Sequence, residues 1–131
     1  MKVRDLMHRE VQTVRIDDLL PDVVDALADQ HITAVAVVDE HHRIIGVVST
    51  ADVLTAQAES ITDPEAWQEM TVEELMTSPP LVIGPEASIT EVAQQLLYAD
   101  VHRLFVVEDG VLVGVISQTD IVRAFAAHRL A

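Results

Sequence analysis

The chain of 131 residues carries 22 acidic and 8 basic side chains, a formal net charge of −14, which argues against nucleic acid or an anionic membrane as a partner. Half of it is hydrophobic and only 3% aromatic, so it folds around an aliphatic core and is not a disordered chain. The absence of cysteine excludes disulfides, thiolate metal sites and a cysteine nucleophile.

Residues 1–7 carry charges where a secretory leader needs an apolar run, and no stretch approaches the roughly 18 apolar residues of a membrane span. A cytoplasmic, soluble protein is expected. Residues 11–14 read as a short extended run. Leu20, Val23, Val24, Leu27 and Ala28 then fall on one helical face. Residues 34–38 and 44–49 form a hairpin around Glu40-His41-His42-Arg43. Thr62-Asp63-Pro64-Glu65 offers a cap with Pro in the first helical turn, and Thr71-Val72-Glu73-Glu74 is a capping box. Pro79-Pro80 break any helix and lead into an extended run over 81–83. Ser88-Ile89-Thr90-Glu91 opens another helix, with Ile89, Val92, Ala93, Leu96 and Leu97 on its apolar face. Two β-rich runs, 104–107 and 111–117, meet at Glu108-Asp109-Gly110, where Asp-Gly suits a tight turn. A last helix begins near Asp120 and is expected to carry Ile121, Val122, Phe125 and Leu130 inward.

This order repeats. Val3, Leu6 and Met7 recur as Val72, Leu75 and Met76 at an offset of 69. Gly46-Val47-Val48-Ser49-Thr50-Ala51-Asp52 recurs as Gly114-Val115-Ile116-Ser117-Gln118-Thr119-Asp120 at an offset of 68. The expected division is a first repeat over 1–56, an acidic helical linker over 57–71 and a second repeat over 72–131. Each repeat reads β-α-β-β-α, an α/β (α+β) unit. A three-stranded sheet with helices on one face leaves the other face bare, so two units packed sheet to sheet with pseudo-twofold symmetry are expected.

The recurring pattern of Asp-Leu-Met, hydrophobic strand, amphipathic helix, Val-Val-Asp/Glu and Gly-Val-Val/Ile-Ser-x-x-Asp resembles the CBS (cystathionine β-synthase) domain. Two in tandem resemble a CBS pair, or Bateman module. Val101-His102-Arg103-Leu104-Phe105-Val106-Val107 is similar to the corresponding strand in the nucleotide-sensing γ subunits of AMP-activated kinase. The resemblance implies an adenosyl ligand (AMP, ADP, ATP, S-adenosylmethionine or NAD) in clefts between the repeats. It also implies a regulated partner protein and a homodimer, with no required cofactor. The chain departs from the family at Ala36 and Phe105, where a Pro is common.

Candidate ligand residues follow from the resemblance and from chemistry. Asp120 and Asp52 can accept from the two hydroxyls of a ribose, with Ser117 and Ser49 nearby. The same Ser-x-x-Asp spacing before an apolar run is also a helix-capping box, and both roles are compatible. His102 and Arg103 suit phosphate contact, or begin a solvated strand. The first repeat has Thr33-Ala34 at those places and lacks both cations. From Ile44 to His102 there is no Lys or Arg but ten acidic residues. The expected main cleft therefore gathers Thr13, Arg15, His102, Arg103, Ser117, Thr119 and Asp120, and a second gathers Thr33, Ser49 and Asp52. Thr13 reads equally as a β-branched strand residue.

No nucleotide-loop, hydrolase or metalloprotease motif occurs, so an enzyme is not expected. The adjacent His41 and His42 read as a solvated turn. His8, His31 and His128 lack metal-ligand spacing. Trp67 reads as core packing or a dimer contact. The expected function is a stand-alone regulatory CBS pair that binds an adenosine-containing ligand. The alternative is a dimerising interaction module with unoccupied pockets.

Overall fold

The computed structural model describes residues 1–30, 32–59 and 65–130, apart from the side chains at 30 and 128–130. The helix-start signal at 62–64, His31, and the expected inward place of Leu130 lie outside what is described. In chain order the elements are α1 (Val3–Leu6), β1 (Thr13–Arg15), α2 (Leu20–Gln30), β2 (Ala34–Val38), β3 (Ile44–Ser49) and α3 (Thr50–Glu59). A 3₁₀ turn (Ala66–Glu69) follows, then α4 (Val72–Leu75), β4 (Val82–Ile83), α5 (Ile89–Ala99), β5 (Arg103–Glu108), β6 (Val111–Ser117) and α6 (Gln118–Leu130).

The chain forms two compact units. The first-repeat unit is Gln12–Pro80; the second-repeat unit is Met1–Val11 with Leu81–Ala131. Each holds one three-stranded sheet, ordered β1-β2-β3 and β4-β5-β6. In each, the first strand pairs parallel with the second and the second antiparallel with the third. Both hairpin ladders shift register at equivalent places, between Val37 and Val38 and between Val106 and Val107. The α/β repeat architecture read from the sequence is therefore present twice.

Periodicity explains the packing. In the first-repeat unit, Leu20, Val23 and Leu27 of α2 bury against Val35, Val37 and Val48. In the second, Ile89, Val92 and Leu96 of α5 bury against Leu104, Val106 and Ile116. Ser88 caps α5, its Oγ accepting from the Glu91 N–H at 3.1 Å. Asp109 (φ 53°) and Gly110 (φ 82°) form the tight turn that their sequence expects. The first hairpin turns differently. His42 adopts φ 60° while Asp39 Oδ1 accepts from the N–H groups of His41 (2.8 Å) and Arg43 (2.9 Å).

The apolar faces are narrower than expected. Leu97, Val122 and Phe125, all read as inward, are exposed, and so is Ala28. Helix α6 starts directly from β6, and its buried apolar residues among those described are Ile121 and Ala124, one turn apart. Val122 and Phe125 follow each of these by one position and so point away from that line.

The opening segment of each sequence repeat completes the other repeat's core. Val3 of α1 lies fully buried among Ile83, Ile89 and Leu104. Val72 of α4 lies among Val14, Leu20 and Val23. Backbone bonds fix these segments. His8 exchanges two with Val115 (both 2.9 Å), and Thr77 exchanges two with Val47 (2.8 and 3.1 Å). The repeat boundaries thus describe the duplicated sequence, whereas the compact units describe the packing.

Candidate functional site

In both units the third strand runs without a break into a helix, and a serine stands at the junction. The short Ser-x-x-Asp spacing folds the Asp side chain back onto the serine. Ser49 gives its N–H (2.8 Å) and Oγ–H (3.0 Å) to Asp52 Oδ2, and the Asp52 N–H returns to Ser49 Oγ at 3.2 Å. Ser117 and Asp120 repeat this at 2.8, 3.0 and 3.3 Å. Both boxes therefore cap their helices. The remaining carboxylate oxygen, Oδ1, is left for other work.

There the two boxes part. Asp120 is 8% exposed, and its Oδ1 takes a 2.7 Å hydrogen bond from His8 Nε2. Burial pushes the Asp120 carboxyl up. The hydrogen bonds from His8 and from the Ser117 N–H and Oγ–H outweigh it and hold the group below its ordinary 3.8. Asp52 is half-buried, and its Oδ1 meets no hydrogen-bond donor among the described residues. Its unit has Thr77 at the place of His8.

The strand opposite differs as well. Arg103 sits across the ladder from Ser117, whereas Ala34 sits across from Ser49. Arg103 is half-buried, and its buried Nε has no hydrogen-bond partner among the described residues. Burial lowers its guanidinium from the ordinary arginine range, and the charge of Asp120 partly restores it.

The structure gathers His102, Arg103, Ser117, Thr119 and Asp120 around the start of α6. His102 is exposed; its carbonyl accepts the Gln118 N–H at 2.9 Å, and its ring lies 3.5 Å from Gln118 Oε1. Thr119 is exposed. Thr33 repeats the backbone role of His102, accepting from the Thr50 N–H at 2.9 Å. Thr13 and Arg15 belong to the first-repeat unit, on β1, not to the unit that holds Asp120. Thr13 is half-buried opposite Ala36; Arg15 is exposed and gives its N–H to Asp18 Oδ2 at 2.8 Å.

His8 is the residue that the sequence reading passed over. It lacks metal-ligand spacing, and its partner lies 112 positions away. A signal existed: it follows the repeated Leu-Met at the place where the other copy has Thr77. Phe105 is buried in the sheet between Val82 and Val115. Trp67 packs half-buried against the first-repeat core. Lys2 and Arg4 both pair with Glu86, at 2.7 and 2.8 Å on the surface. Among the described residues no three His, Asp or Glu side chains converge on a metal position, and no helix is long and apolar enough to cross a membrane.

Two copies of one strand-to-helix unit, each closed by a Ser-Asp box, define a tandem-repeat α/β module. The chain belongs to the CBS domain family, whose model matches residues 3–59 and again 72–127. It is 29% identical over 148 residues to the chloroplastic CBS domain-containing protein CBSX1 of Arabidopsis thaliana, covering 95% of this chain and 61% of that one. The chain spans 41–61% of the length of that relative and two Methanocaldococcus jannaschii proteins that it also matches. Among solved structures it is similar to Arabidopsis CBSX2 in complex with AMP, with a TM-score of 0.86, 28% identity and 98% of each chain covered. The CBS domain pair of protein MJ0100, in complex with 5′-methylthioadenosine and S-adenosyl-L-methionine, superposes with a TM-score of 0.82 over 98% of each chain; at 22% identity it is a likeness of fold.

Proposed function

We propose that this chain is a regulatory module that binds a phosphorylated adenosine ligand (AMP, ADP or ATP) and carries out no catalysis of its own. The observation behind this reading is Arg103, a half-buried guanidinium with an unpartnered Nε beside a carboxylate already engaged elsewhere. A planar fork of donors in that state suits a phosphate, which offers two acceptor oxygens at once. Ser117 and Asp120 stand next to it with the polar groups a ribose needs. Support for adenosine comes from CBSX2, whose structure holds AMP. Ser49 and Asp52, with no cation opposite, are assigned a less anionic adenosyl ligand such as adenosine or S-adenosylmethionine. Thr13, Arg15 and Thr33 are retained as further ligand contacts. Regulation then requires that the ligand bind one conformational state of the module more tightly than another.

Calorimetric titration with AMP, ADP, ATP, adenosine, S-adenosylmethionine and NAD tests this. Arg103→Ala should weaken AMP roughly ten- to a hundred-fold, the range of a lost charged hydrogen bond, and barely affect adenosine. Absence of saturable binding by every compound would sink the proposal.

A second reading rests on a separate observation. Helices α5 and α6 touch, and together they expose Leu97, Tyr98 (96% exposed), Val122 and Phe125. Such a patch suits an interaction surface, with a second copy of the chain as its first candidate. If Tyr98→Lys with Phe125→Lys leaves the sedimentation behaviour unchanged, that reading fails.

A further inference from the structure

A carboxylate has about four acceptor positions, two on each oxygen. On Asp120, both positions of Oδ2 are filled, by the Ser117 N–H at 2.8 Å and its Oγ–H at 3.0 Å. Oδ1 holds the His8 ring at 2.7 Å. One position is left. On Asp52, Oδ2 is filled in the same way, but both positions of Oδ1 are open among the described residues. A vicinal diol brings two O–H donors. Asp52 has room for both; Asp120 has room for one.

We infer that His8 is a latch on Asp120, a positioning residue that decides how many hydroxyls this carboxylate accepts. With His8 in place, the second-repeat box receives a single hydroxyl. A full diol enters only when the ring swings away. The ring is free to do so: its side chain is 60% exposed, whereas that of Asp120 is 8% exposed. The latch works at a distance in sequence because α1 is built into the second-repeat unit. The His8–Val115 backbone pair, with both bonds at 2.9 Å, holds the ring over the start of α6. Neither Ser117 nor Arg103 takes part in it. The first-repeat box has no such device, since the described structure gives Thr77 no bond to Asp52. The two boxes therefore differ in hydroxyl capacity as well as in charge.

This rests on the proposed binding of adenosine phosphates, and its test separates the two ideas. Binding is followed at the Ser117 and Asp120 amide resonances, which report this box and not the other. The probes are AMP and 3′-deoxy-AMP, which lacks one of the two hydroxyls. His8→Ala should tighten AMP roughly ten- to a hundred-fold, the worth of one charged hydrogen bond, and leave 3′-deoxy-AMP within about two-fold. His8→Gln keeps an N–H donor of similar reach and should restore the weaker AMP binding. A residue that merely shapes the fold would shift both ligands together, and glutamine would not rescue. Equal changes for the two ligands, or tighter 3′-deoxy-AMP alone, overturn the latch while leaving nucleotide binding intact. Failure of both probes to bind either protein overturns the latch and the nucleotide reading together.

Discussion

Ser49–Asp52 and Ser117–Asp120 share one backbone plan, and their capping hydrogen bonds agree to within 0.1 Å. Their surroundings do not. The second box has a histidine on its spare oxygen and an arginine across the ladder; among the described residues the first has neither. Duplication has preserved what the fold requires, the cap that starts a helix directly off a strand. It has let the residues free of that duty diverge. Ligand chemistry is thus to be sought in what the two copies do not share, namely His8 against Thr77 and Arg103 against Ala34.

The largest expected effects test the shared part. Leu27 and Leu96 occupy equivalent places in α2 and α5 and are both buried. Truncation of either to Ala should cost about 2–5 kcal/mol of stability, measured by urea unfolding. Matched costs would show two cores of equal quality. A much cheaper Leu27→Ala would mean that the first-repeat core collapses around the gap, and the two units would not be energetic equivalents.

Next in size is the divergent part. Asp120→Asn forfeits the charge that His8 and Ser117 serve and should cost about 2 kcal/mol at neutral pH. Asp52→Asn, with no histidine partner among the described residues, should cost about half as much. The Asp120 carboxyl lies below its ordinary 3.8 in the folded chain, so its contribution is present in full above that value. It fades as the pH falls through the lower folded value. The stability gap between the parent and Asp120→Asn should therefore hold across neutral and mildly acidic pH and close below about 3.8. A gap that stays open at pH well below the carboxylate range would contradict the hydrogen-bonded carboxylate.

How much of this was legible in the residues varies with the range of the interaction. The strands over 34–38 and 44–49, the Asp109-Gly110 turn and the Ser88 cap are local, and short-range chemistry places them. The Ser-x-x-Asp boxes are equally local, so their capping role could be read directly. Leu97, Val122 and Phe125 were misplaced because periodicity gives a helix's apolar side but not how wide a stripe its neighbours cover. His8 was missed because its partner is set by where α1 packs, which no local pattern encodes. The same long-range step hides the unpartnered Nε of Arg103. Its neighbour Ser117 follows from the hairpin register, but its burial does not.

The smallest contrast lies at the glycines beside the opening segments. A Cβ at Gly114 would stand 2.8 Å from Met7 Sδ and 2.9 Å from the His8 carbonyl oxygen. At Gly46 it would stand 2.6 Å from Met76 Sδ but 3.1 Å from the Thr77 carbonyl oxygen. A thioether at the end of a flexible chain can move aside, whereas a carbonyl oxygen within a backbone pair moves only with its segment. Gly114→Ala should therefore cost about 1–2 kcal/mol and Gly46→Ala less than about 1 kcal/mol in the same unfolding assay. The displaced carbonyl at Gly114 belongs to His8, so this substitution should also loosen the ring from Asp120. In AMP titrations it should behave as a partial His8→Ala, with tighter binding at the Ser117 and Asp120 resonances despite lower stability. A destabilised variant that binds AMP no better would show that the His8 backbone can shift without releasing its side chain.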